Sequence, residues 1–274
     1  MSEQIAAEAD EAQVLPCLNQ SGSVGKSTTV TAVAAILAEQ GKSVLVHDAD
    51  PQADATFQLG IAEPKWTSGD VLMGRVAAGD AAVETNIANV WVIPSAPSLA
   101  DDVEMIRTKV GAEQRIRLGL EPVRSQVDVI LIDCPGTLGI LSIGALVAAA
   151  HRRRGGPAWV MTCTMPGLKE IKGAPRLEET IQDVAAAYNP TLQLGAVVPC
   201  VVPDKNAGLL YVEAMDMLKG TYGDLVTPGV RRSVRVPEAY ARQIPLTVHA
   251  PQDAVTDDYR TVVGNMQQRG ILPK

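Results

Sequence analysis

Six short apolar runs recur along the chain, at residues 14–18, 43–47, 90–93, 127–132, 158–163 and 192–198. Each is apolar on both faces, and each is separated from the next by residues at helical spacing. Strands buried on two sides and alternating with helices form a parallel sheet covered on both faces, joined by right-handed crossovers. The pattern therefore predicts an α/β protein, a single doubly wound, mostly parallel sheet with helices on both faces. The first helix is expected over residues 26–40, where Val30, Val33, Ala34, Ile36 and Leu37 leave no polar side wide enough for solvent. It should be a buried helix, ended by Gly41 at the C′ position with Lys42 just beyond. Ile171, Ala174, Leu177, Ile181, Val184 and Tyr188 recur at spacings of three and four, which predicts a second long helix. Pro175 is expected to kink or restart it.

Composition narrows the class without changing this picture. A chain of 274 residues with 46% hydrophobic content can bury one full core. The division expected is a short acidic tail at 1–13 and one domain at 14–274. No apolar run approaches the roughly 18 residues of a membrane span, and the start is acidic rather than basic, so a cytoplasmic protein is expected. Cys17, Cys134, Cys163 and Cys200 are far apart, form no Cys-x-x-Cys pair and sit in apolar runs. They read as small buried thiols, not as a disulfide framework or zinc site. The net charge of −7 hides an uneven distribution. Glu3, Glu8, Asp10 and Glu11 crowd the start, whereas residues 221–245 hold Arg231, Arg232, Arg235 and Arg242 against Asp224 and Glu238. A basic patch on an acidic body is the expectation.

Chemistry concentrates at three strand ends. Between the first strand and first helix lies Asn19-Gln20-Ser21-Gly22-Ser23-Val24-Gly25-Lys26-Ser27-Thr28-Thr29. A strand turning tightly into a helix aims backbone N–H groups and the positive end of the helix dipole at one point, which suits phosphate oxygens. Gly22 and Gly25 would let the backbone approach, Lys26 would reach the β and γ phosphates, and the Ser27 hydroxyl would ligate Mg²⁺. The strict phosphate-loop pattern wants glycine where Gln20 stands. The second run ends in Asp48-Ala-Asp50-Pro-Gln-Ala-Asp-Ala-Thr56, two carboxylates at the tip of a parallel strand, facing the crevice where α/β folds bind ligands. The fourth run ends in Asp133-Cys-Pro-Gly-Thr-Leu-Gly139, an aspartate followed by a Gly/Pro loop.

Together these elements resemble the ParA/MinD superfamily of deviant-Walker ATPases, most closely the short ParA proteins of plasmid or chromosome partition. The first resembles that family's Lys-Gly-Gly-x-Gly-Lys-Thr box, the second its Asp-x-Asp-Pro-Gln-x-x-x-Thr switch, the third its Asp-Cys-Pro-Pro-Ser-Leu-Gly loop. The resemblance implies an ATP site at Gly22, Ser23, Val24, Gly25, Lys26, Ser27, Thr28 and Pro237, with Mg²⁺ near Ser27, Asp48 and Asp133. It implies catalysis by Lys26 and by Asp50, which would orient or deprotonate the attacking water. Residues 230–239 resemble the stretch with which family members bind DNA without sequence preference, so Arg231, Arg232 and Arg235 are the DNA-binding candidates. The run from His151 to Gly156 either adds to that patch or forms a solvated loop. The implied partners are a second copy of the chain in an ATP-dependent dimer, a ParB-like centromere-binding protein and nucleoid DNA when ATP is bound, with no membrane.

The match breaks at Ser21, where the family carries a signature lysine that reaches the partner's phosphates across the dimer. Serine supplies no charge there, and charge-assisted contacts contribute about 1.5–3 kcal/mol each. Two readings follow: a weak ATPase stimulated by DNA and partner, or a nucleotide-gated binding module with negligible turnover. A MinD-like positioning role is a further alternative, but the apolar face of residues 257–274 is thin for a membrane helix.

Overall fold

The computed structural model describes residues 11–19, 24–153, 155–203 and 209–274, with the backbone alone at 168–175, 209 and 210. Along the chain, β1 (Gln13–Leu18) is followed by α1 (Lys26–Glu39), β2 (Val44–Asp48), α2 (Asp54–Gln58), α3 (Ser68–Met73) and α4 (Ala78–Ala81). Next come β3 (Val83–Glu84), β4 (Val90–Ile93), α5 (Leu99–Arg107), α6 (Arg115–Leu120), β5 (Val129–Asp133) and α7 (Ile140–Ala148). The chain continues through β6 (Ala158–Thr164), α8 (Leu168–Ala187), β7 (Leu192–Pro199), α9 (Leu209–Tyr222), α10 (Arg235–Ala241), α11 (Leu246–His249) and α12 (Ala254–Gln268).

The strands order as β3-β4-β2-β5-β1-β6-β7, and every pairing is parallel except β3 with β4. Side chains alternate between the two faces. Leu15, Cys17, Val44, Val46, Val129 and Leu131 join one core layer with α1 and α12, while Val14, Leu18, Leu45, Ile130 and Ile132 join the other with α3, α5, α7 and α8. The doubly wound sheet expected from the apolar runs is the one formed. Pro16 sits in a central strand, where a missing N–H is normally excluded. It is accommodated because the β1–β6 pairing begins only at Cys17.

Residues Thr29 to Ala38 of α1 are all buried, as its all-round apolar sequence requires. The helix ends as expected, with Gly41 at φ +82°. Its N–H bonds to Ala38 and that of Lys42 to Leu37, which satisfies two terminal carbonyls. Three expectations shift. Ala12 is already fully buried and Glu11 pairs with Arg124 at 2.8 Å, so packed structure begins before residue 14. Strands β2 and β5 each extend to their aspartate, Asp48 and Asp133, because the two residues are direct partners across the ladder. Finally, α8 runs unbroken through Pro175, its buried Leu177, Ile181 and Val184 packed in the second core layer, so no restart occurs.

Candidate functional site

The C-terminal ends of β1, β2 and β5 converge on the N-terminus of α1. Gly25 is the N-cap of that helix at φ +89°, a left-handed conformation that suits only glycine, and a Cβ there would lie 3.4 Å from Cys200 Cβ. Among the described residues no side chain caps the helix, and its first turn holds no acidic residue. The N–H groups of that turn are therefore available to an anion, and the dipole is uncompensated. Lys26 is buried to 7% exposure and close enough to Asp133 to lower that carboxyl's pKa.

Two carboxylates meet beside the lysine. Asp48 and Asp133 are both fully buried neighbours in the β2–β5 ladder. Burial raises the Asp48 pKa to about 7, against hydrogen bonds that lower it. Its Oδ2 accepts from the Thr56 N–H at 2.8 Å and the Thr56 hydroxyl at 2.7 Å, and its Oδ1 from the Asp50 N–H at 3.1 Å. Asp48 thus ties down the loop that carries Asp50. Asp133 differs: among the described residues neither of its buried oxygens has a hydrogen-bond partner. Burial first and the Asp48 charge second push its pKa well up. The Ser27 hydroxyl is near enough to lower it, though it does not meet hydrogen-bond geometry with either oxygen.

A buried carboxylate without a partner is costly unless something else satisfies it. The donor set at hand, Asp133, the Ser27 hydroxyl and any oxygen of a bound anion, suits a hard divalent cation that keeps some of its waters, as Mg²⁺ does. Among the described residues no three His, Cys, Asp or Glu side chains could close on a metal unaided. That fits a cation held jointly by protein and ligand. Asp50 is half-buried; its Oδ1 accepts from the Gln52 N–H at 2.9 Å within the turn that leads into α2.

Two hollows adjoin at Gly25 and Thr28. One, of about 660 Å³, is lined by Val24, Lys26, Ser27, Asp50 and Thr137 together with those two residues. The other, of about 540 Å³, is more apolar and runs past Cys200, Val230, Val236 and Pro237 to Tyr259. A charged end beside Lys26 and an apolar end beside Pro237 match the two ends of a nucleotide. Of the sequence-derived site residues, Val24, Gly25, Lys26, Ser27, Thr28, Asp48, Asp50, Asp133 and Pro237 assemble around this space. Ser21, Gly22 and Ser23 lie outside the described residues.

The arginine patch is less uniform than its sequence. Arg231 grips Asp258 with Nε at 2.6 Å and Nη2 at 2.8 Å, and Arg235 pairs with Glu238 at 2.9 Å and Asp253 at 3.4 Å. Arg232 is exposed and makes no ion pair among the described residues. The patch was legible, but its carboxylates, up to 27 residues away, were not. His151 and Arg153 line a separate hollow with Glu11, Arg117 and Thr191, at the N-terminal end of the strands. They therefore do not add to the arginines near Cys200, because the strands run from one end to the other. The C-terminal Val262, Val263 and Met266 are fully buried against the core, and no described helix is long and apolar enough to cross a membrane.

Sequence reasoning missed two long-range contacts that shape the site. The Thr56 hydroxyl donates to Asp48 and accepts from the Ser95 N–H at 2.8 Å, joining β2 to the end of β4. Tyr240 donates to Asp54 at 2.8 Å and packs its ring on Phe57, 4.8 Å between centroids, joining α10 to α2. Neither shows a local signal, since the contacts bridge 39 and 186 residues.

Comparison with known proteins agrees with this geometry. A protein-family profile described as an AAA domain matches residues 12–194. The chain is 33% identical over 237 residues to the chromosome partitioning protein ParA of Caulobacter vibrioides, covering 84% of this chain and 85% of that protein. It is 29% identical over 262 residues to the sporulation initiation inhibitor protein Soj of Bacillus subtilis, covering 94% and 99%. Among solved structures, cobyrinic acid a,c-diamide synthase from Mycobacterium smegmatis with bound ATP analogue and magnesium superposes with a TM-score of 0.76 at 27% identity, covering 92% of this chain and 93% of that one.

Proposed function

The chain belongs to the ParA/MinD superfamily of ATPases, and from that premise we propose that it is an ATP-switched partition ATPase that binds Mg²⁺-ATP in the paired hollows. The observation that carries this reading is the buried Asp133 carboxylate, left without a partner beside Ser27 and Lys26 at an uncapped helix N-terminus. Ser27 and Asp133 would hold the cation, while Asp48 acts mainly by fixing the loop of Asp50. A Mg²⁺ ion held there would supply charge neutralisation to the phosphates.

In this reading Lys26 and the N–H groups of α1 bind and orient the phosphates, and the base occupies the apolar hollow at Pro237. Asp50 positions a water for attack on the γ phosphate. There is little covalent work for the protein to do, so the rate comes from positioning and charge. ATP binding drives dimerisation, exposes a DNA-binding face that includes Arg232, and is reset by hydrolysis when a ParB-like partner engages. The DNA-bound state is nucleoid-associated.

Phosphate release from ATP, measured with and without DNA, tests this. The expected result is release that falls by about 100-fold or more in Asp50→Ala while nucleotide affinity is kept. The second reading, a nucleotide-gated binding module without turnover, is favoured by serine at position 21 in place of the family's lysine. It requires wild-type release no faster than that of Asp50→Ala, a result that would sink the ATPase proposal.

A further inference from the structure

Three of the four cysteines converge beneath Gly25. Cys17 ends β1, Cys163 lies in β6 and Cys200 follows β7, all three in the core layer of α1, whereas Cys134 belongs to the opposite layer. The Cys17 and Cys163 sulfurs are 3.6 Å apart. Cys200 lies two residues beyond Val198, the β7 partner of Cys163, in the same core layer. Cys200 also lies 3.6 Å from the Thr29 hydroxyl in the first turn of α1, and it forms part of the wall of the apolar hollow. Packing alone explains a buried thiol; it does not require three in contact with one of them on a cavity wall. Hydrogen bonding within the cluster favours the Cys163 thiolate, while hydrogen bonding and burial push the Cys17 and Cys200 thiols up.

We propose that Cys17, Cys163 and Cys200 form an oxidation site, in which hydrogen peroxide entering the apolar hollow converts the cluster to one disulfide ending on Cys163 and closes the protein to nucleotide. The last clause rests on the nucleotide reading above; the disulfide does not. Cys200 sulfur attacks the peroxide O–O bond, giving a sulfenic acid and one water. Cys163 sulfur then attacks Cys200 sulfur, and the displaced hydroxide leaves as a second water with the Cys163 proton. Two thiols lose two electrons and two protons, and the peroxide is reduced to two waters. Cys17 can then displace Cys200 from Cys163, passing its own proton to the Cys200 thiolate.

The consequence follows from strand register. Cys17 is opposite Met161 and Cys163 opposite Val198, so the thiols step diagonally across three strands. A disulfide of about 2 Å therefore requires the strand ends to move. Cys200 and Val201 line the apolar hollow together with Gly25, so a shift there changes the space proposed for nucleotide.

The test treats the full reduced chain with hydrogen peroxide, with and without Mg²⁺ and a non-hydrolysable ATP analogue. Free thiols are then alkylated and the disulfide mapped by mass spectrometry. Expected are a loss of two hydrogens, a cross-link containing Cys163, and affinity for a fluorescent ATP analogue reduced by about tenfold or more, restored by dithiothreitol. Prior nucleotide slows the cross-link, Cys163→Ala abolishes it, and Cys134→Ala leaves it intact. Four alkylatable thiols after peroxide, or a cross-link without Cys163, overturns the site. A mapped Cys163 disulfide with unchanged nucleotide affinity overturns its effect on binding. Failure of the reduced protein to bind nucleotide at all contradicts the function proposed above, and the mapping, which needs no variant, still decides the oxidation site.

Discussion

Gly25, Thr56 and Asp133 show how single residues hold the site, each by a different physical means. At Gly25 the backbone is held at φ +89°, a conformation strained for any residue with a Cβ whatever the space around it. Gly25→Ala should cost about 1–2 kcal/mol of stability and weaken nucleotide binding, measured by urea unfolding and by titration. Thr56→Val keeps the shape but removes a hydroxyl that serves both Asp48 and the Ser95 N–H. With two buried groups deprived, about 2–4 kcal/mol of destabilisation is expected; a change under 0.5 kcal/mol would show that the bridge is unimportant. Asp133→Asn removes a buried, unpartnered charge, so the nucleotide-free protein should hold or gain stability while the added stabilisation by Mg²⁺-ATP disappears. Thermal melts with and without Mg²⁺-ATP read both at once. Asp48, Asp50 and Asp133 were legible because each ends or follows an apolar run. Thr56 was visible in the motif, but its second partner depends on β4 lying beside β2, which the motif does not encode.

At the scale of elements, the order and type of the strands could be read because a strand buried on both faces leaves a continuous apolar run. The two-residue β3 left no such trace; it is too short to carry a period, and its antiparallel pairing with β4 places it at the sheet edge. At Pro175 the helix does not restart, because α8 is one helix of 20 residues whose buried face is packed along its second half. The contact of α10 with α2 matters most for function, since α2 follows Asp50 and α10 carries Pro237. Tyr240→Phe keeps the ring on Phe57 and loses only the hydrogen bond to Asp54. It should therefore lower kcat for phosphate release and leave KM nearly unchanged, with stability altered by about 1 kcal/mol or less. An increase in KM with kcat intact would place the contact in binding instead of in the switch.

Across the whole molecule, the sheet separates two ends by strand direction. The paired hollows proposed for nucleotide lie at the C-terminal end with Arg231, Arg232 and Arg235, while the hollow of His151 and Arg153 faces the other way. Local sequence marks clusters of charge but not which end of a sheet they occupy, nor which carboxylates answer them. Because Arg231 and Arg235 are already paired, Arg232→Ala should weaken retention on DNA and reduce the slope of log affinity against log salt by about one. Equal losses for Arg231→Ala and Arg232→Ala would show instead that the ion pair with Asp258 opens on binding. The expectations for binding and turnover depend on one property, that the paired hollows hold Mg²⁺-ATP through Lys26. Equilibrium titration of the wild type and of Lys26→Ala with a fluorescent non-hydrolysable ATP analogue, with and without Mg²⁺, measures it directly. Saturable binding of one nucleotide per chain, strengthened by Mg²⁺ and lost in Lys26→Ala, is the expected result; binding of equal strength in both proteins, or in neither, would contradict it.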